Sequence, residues 1–130
     1  MALINLYFAW AWILTGMVMG AVIGVFFHRH DWLGGFASWP RRMVRLAHIA
    51  FLGTGLLNLG FALSVPHVLP SGDRDAALRA AAALLIVGAV TMPTVCLLAA
   101  WRAGCRRLFF IPALSLIAAI GVFLCRGFVQ

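Results

Sequence analysis

The sequence predicts an all-α fold, an integral membrane bundle of four transmembrane helices. Three observations carry that reading. Hydrophobic residues make up 65% of the 130-residue chain and charged residues only 10%, too few charges to cover a water-exposed surface. Mean hydropathy is +1.06. The apolar residues also fall into four long runs, each near or above the ~20 residues that cross about 30 Å of hydrocarbon. Lipid is therefore the expected solvent for most of the chain.

The runs cover roughly residues 3–27, 43–65, 76–101 and 108–125, and together form one domain. The first has no charged leader before it and no small-residue cleavage site, and it is too long for a signal peptide. Pro66 and Pro70 are expected to end the second helix. Asp73 and Asp75 precede the third, where an acid suits a helix N terminus. Gly104 follows the third as its expected terminator, with Arg102 in the last turn, and Pro112 stands in the first turn of the fourth.

The net charge of +7 comes from ten arginines and three aspartates, with neither lysine nor glutamate. These arginines flank apolar runs and do not form a basic patch on a soluble surface, so nucleic acid is not the expected partner. Arg29, Arg41, Arg42 and Arg45 lie around the first loop, and Arg102, Arg106 and Arg107 in the third; Arg74, Arg79 and Arg126 lie on the other side. Seven against three puts the first and third loops in the cytoplasm. A multi-pass protein of a bacterial-type inner membrane, or of another energy-converting membrane, is expected. Tyr7, Trp10 and Trp12 would then mark the outer interface, and Trp32, Trp39 and Trp101 the inner one.

The apolar runs contain no Asp, Glu or Lys. Intramembrane ionisable groups mark proton relays and transport pathways, so proton-coupled export is disfavoured. Neither a nucleophile with its base nor paired carboxylates nor a phosphate loop stands out, and an enzyme is not expected. Cys96, Cys105 and Cys125 show no C-x-x-C spacing and read as packing residues.

The strongest motif is mechanical. "GMVMGAVIG" sets Gly16, Gly20 and Gly24 at i, i+4 spacing, a flat stripe that lets another helix, or a partner's helix, come close. Gly53 and Gly60 offer the same on helix two, and Ser115, Ala118 and Ala119 on helix four. Thr54 and Asn58 are expected to bond across to a neighbouring helix. Pro93 interrupts helix three and frees the carbonyl of Ala89. The first loop, "HRHDWLGGFASWPRR", reads as a headgroup-plane segment: Trp32 and Trp39 buried or docked on a partner, Arg41, Arg42 and Arg45 on lipid phosphate.

His48, in "RLAHIAF", is expected to be an interfacial structural residue. The alternative is a haem or chlorophyll-type pigment held by His48, with His28 as a second ligand. No cofactor or metal is expected on the leading reading. That reading is a small non-catalytic membrane subunit at the edge of a larger complex, respiratory or photosynthetic, whose partners are other integral membrane chains and anionic lipids. A small channel or transporter without titratable groups is the remaining alternative.

Overall fold

The computed structural model describes residues 1–68 and 75–128. Pro70, Asp73 and Arg74 lie outside the described residues. Helix makes up 91% of the structure and no strand is present among those residues. The spans are α1 (Ala2–Phe27), α2 (Trp39–Val68), α3 (Ala76–Trp101) and α4 (Phe110–Phe128). Short 3-10 turns cover Trp32–Gly34 and Ala103–Phe109. All four long helices are apolar enough to cross a membrane, and the chain is an all-α, multi-pass membrane protein.

The first and third spans have the expected limits; α4 runs Phe110–Phe128 against the expected 108–125, because a 3-10 turn takes up Ala103–Phe109, and α2 departs at both ends. It begins at Trp39 because Ser38 caps it. The Ser38 carbonyl accepts from the Arg42 amide at 3.2 Å, and its hydroxyl accepts from the Arg41 amide at 3.4 Å. Pro40 falls in the first turn, where a missing N–H costs little. At the other end Pro66 does not stop α2, which continues to Val68; a proline one turn from the end removes only the bond to Ala62. Gly104 is not the terminator of α3 either. The helix ends where Arg102 turns extended (φ −133°), its amide closing on Leu98 O at 2.8 Å. Asp75 does cap α3, accepting from the Ala77 amide at 2.7 Å, and it pairs with Arg126 of α4 at 3.3 Å.

The helices pack in chain order, α1 on α2, α2 on α3 and α3 on α4. In their most apolar windows α2 and α3 are 39% and 44% buried, against 11% and 17% for α1 and α4. The outer pair therefore form the edges of an open bundle. Its main apolar cluster joins Phe61 and Val65 to Ala81, Ala82, Leu85 and Ala119.

Glycines set the close approaches. A Cβ on Gly16 would stand 2.9 Å from Leu52 Cδ2, and one on Gly20 2.5 Å from His48 Cε1. The stripe on α1 is thus filled by α2 at two of its three positions, and Gly24 alone faces open space. Gly53 and Gly60 are also open, while Gly55 meets Ile13 at 2.8 Å and Gly88 meets Leu116 at 2.6 Å. The expected packing glycines of α2 are therefore replaced by Gly55. Helical periodicity gives the reason: His48, Leu52, Gly55 and Asn58 share one face, and Gly53 and Gly60 lie off it.

Candidate functional site

Polar side chains meet at three places along the helix seams. The deepest joins α1, α2 and α3. Asn5 and Asn58 are fully buried. Asn58 Nδ2 donates to Thr54 O at 2.9 Å and to Leu85 O at 3.3 Å. Both partners are carbonyls, so the amide orientation is fixed and Oδ1 faces α1. Asn5 Nδ2 donates to that Oδ1 at 2.8 Å and to Ala82 O at 3.1 Å. Asn5 Oδ1 has no hydrogen-bond partner among the described residues. Asn58 makes the expected bond to a neighbouring helix. Asn5 is a polar residue inside the first apolar run, and its pairing depends on which turn of α2 lies opposite. Thr54 instead bonds back to Ala50 O at 2.6 Å.

The second place is His48, at the α1–α2 seam. Its Nδ1 lies 2.9 Å from Gly16 O. A carbonyl only accepts, so Nδ1 carries the proton in this contact. Nε2 makes no hydrogen bond among the described residues. The ring rests on Gly20, whose missing side chain makes room for it. Through Nδ1, His48 thus bonds the backbone of α1. His28 follows the last turn of α1 and is exposed, eight residues, or about 12 Å of helical rise, beyond Gly20. The structure does not bring His48 and His28 together. Among the described residues, no three His, Cys, Asp or Glu side chains are grouped to hold a metal ion.

The third place corrects the reading of Arg41. It is not free to meet lipid phosphate, because its side chain is fully buried. Nη1 donates to Arg29 O at 3.0 Å, and Nη2 donates to Phe27 O. The guanidinium lies 3.9 Å from the centre of the Phe36 ring, 4.8 Å from Phe27 and 5.4 Å from Trp32. Carbonyls at the end of α1 lack helical partners and sit at the negative end of its dipole. A planar fork with a permanent charge suits them, and the ring faces add cation–π attraction. Nε is buried with no hydrogen-bond partner among the described residues. The loop closes over this group through Leu33, Gly34 and Gly35, all at positive φ. Leu33 tolerates +54° because its carbonyl accepts from Ser38 Oγ at 2.6 Å.

Trp32 stacks on Phe26 with centroids 6.0 Å apart, so it also faces inward. Trp39 Nε1 donates to Ala99 O at 2.7 Å, satisfying one of the last carbonyls of α3. Trp12 packs against Phe51 at 4.8 Å within the α1–α2 seam. Arg42 and Arg45 remain exposed, as do Arg102, Arg106 and Arg107. Trp101 is 83% exposed among them.

No protein-family model, curated protein or solved structure matches this chain.

Proposed function

We propose that this protein is a small, non-catalytic integral subunit of a larger membrane assembly, respiratory or photosynthetic, with its first and third loops in the cytoplasm. One observation carries the reading. Trp101 and six exposed arginines, Arg29, Arg42, Arg45, Arg102, Arg106 and Arg107, gather on the side of the first and third loops. Tryptophan and arginine dominate the energy of many protein interfaces. The two asparagine amides inside the spans, by contrast, join α1, α2 and α3 to one another. The arginine end is therefore the surface on which an acidic part of a neighbouring subunit docks, with anionic headgroups around it.

Purification of the native protein in a mild detergent tests this. Other integral membrane chains are expected to co-purify, and Trp101→Ala combined with Arg106→Gln and Arg107→Gln should release them while the helices persist. A wild-type protein that emerges alone and monodisperse overturns the reading. A second reading is favoured by the His48 contact: with Nδ1–H held by a carbonyl, Nε2 is the nitrogen available to a metal, so a haem or pigment would take one ligand from His48. Its signature is a stoichiometric visible absorption band, lost in His48→Ala with the fold retained.

A further inference from the structure

An apolar groove of about 280 Å³ runs between α2 and α4, bordered by Leu57, Gly60 and Ser64 on one side and by Ile120 and Phe123 on the other, with Leu85 as its floor. It lies within the spans, on the side away from the exposed arginine cluster. A second hollow of about 220 Å³ shares Phe123 and Leu124 with it and leads on to Gly127 and Phe128. The path thus opens at the C-terminal end of α4. We propose that this groove seats one acyl chain of an anionic phospholipid, with the lipid phosphate at Arg126.

Length argues for a lipid. From Leu56 to Ser64 the groove follows eight residues of α2, about 12 Å of rise. One leaflet contributes about 15 Å of hydrocarbon, so a chain entering from that side fills the groove and ends near the bilayer centre. A helix, at 10–12 Å across with its side chains, does not enter a slot of this volume. Two polar groups flank this path. Arg126 lines neither hollow but stands in the last turn of α4, between Leu124 and Gly127 of the second hollow and three residues after Phe123. Its Nε and Nη2 face Asp75 at 3.3 and 3.4 Å, which leaves the Nη1 edge of a half-exposed guanidinium for a phosphate. Ser64 is the second. Thr15, Thr54, Thr91 and Thr94 all return their hydroxyls to a carbonyl of the preceding turn. The Ser64 hydroxyl, which lines the groove, has no bond among the described residues and is available to an ester carbonyl of the lipid.

Gly60 makes the test clean. Nothing lies within 4 Å of the position its Cβ would take, so Gly60→Leu fills the groove without displacing a neighbour. Gly53 is equally open and exposed but does not border the groove, so Gly53→Leu is the control. Each protein is delipidated in detergent, exchanged against mixed micelles of phosphatidylglycerol and phosphatidylcholine, and examined by native mass spectrometry and phosphorus analysis. Wild type and Gly53→Leu should each retain one phospholipid, with phosphatidylglycerol favoured by up to about fivefold, the full effect of one arginine near an anionic headgroup, of which Asp75 offsets a part. Gly60→Leu should lose the bound lipid, and Ser64→Leu, which gives up no internal bond, serves as a second groove-filling variant. Arg126→Gln should keep a lipid and lose the preference. Equal retention by the Gly60, Ser64 and Gly53 variants overturns the site, and a wild type indifferent to headgroup overturns its anionic ligand. A protein chain released by Gly60→Leu in place of lipid overturns the assignment of the occupant.

Discussion

One methyl group is enough to probe the contact between α1 and α2. In Gly20→Ala the new carbon would stand 2.5 Å from His48 Cε1. The ring must withdraw, and its bond to Gly16 O goes with it. A loss of about 1–3 kcal/mol, the usual cost of overpacking, is expected in reversible unfolding in mixed micelles. Leu14→Ala, at a position 61% exposed, should change little. Adding His48→Ala to Gly20→Ala should recover part of the loss, because the two residues occupy the same space and their effects do not add. Strict additivity would separate the glycine from the histidine. At this scale the sequence was half legible. The spacing of Gly16 and Gly20 announced a seam, but not that a histidine fills it. Gly55 was passed over because spacing within one helix does not say which face its neighbour covers.

Among the elements, the connection from α1 to α2 depends most on a single side chain. Arg41→Lys keeps the charge but replaces a two-pronged fork with a point donor. At least one terminal carbonyl of α1 then loses its partner, with a cost of about 1.5–3 kcal/mol for a hydrogen bond to a charged group. Faster amide exchange across residues 28–38, with the cores of α2 and α3 unchanged, is the expected result. Unaltered exchange would show that the aromatic rings alone hold the loop. Arg41, Arg42 and Arg45 look alike in the sequence, all placed where an arginine suits a membrane surface. Only the folded loop, bringing Phe27, Trp32 and Phe36 around one of them, tells them apart. Helix ends were legible where capping chemistry was read, as at Asp75. They were misplaced at Ser38, where the arginines that follow hide the start of α2 from a hydropathy reading.

The molecule as a whole is held by the asparagine pair, which bonds three of the four spans. Asn5→Ala and Asn58→Ala, each alone and then combined, form a double-mutant cycle. Coupling of about 0.6–1.7 kcal/mol, typical of hydrogen bonds between membrane helices, is expected, and independent effects would argue against the shared bond. Orientation is tested with single cysteines at Ala76 and Ala103, both exposed, in a chain whose native cysteines are replaced. An impermeant maleimide applied to intact cells should label position 76 and spare position 103; the reverse pattern would invert the orientation proposed from the arginines. The number of spans was legible throughout, since length and apolarity are properties of each helix alone. Their open, sequential order was not, because it depends on which faces meet.

That order has a consequence for the chain as it is made. Helices that pack on their sequence neighbours meet in the order in which they leave the ribosome, so α1 and α2 can close on each other first. Their asparagines are then only half satisfied, because Ala82 O and Leu85 O belong to α3. These residues follow Asn58 by 24 and 27 positions, roughly one to five seconds of synthesis at 5–20 residues per second. For that interval the nascent hairpin holds two amide hydrogens in hydrocarbon with nothing to receive them, a costly state. The arrival of α3 ends it. A chain that stops after α2 stays in it, marked as incomplete and prone to pair with a second hairpin through the same two amides.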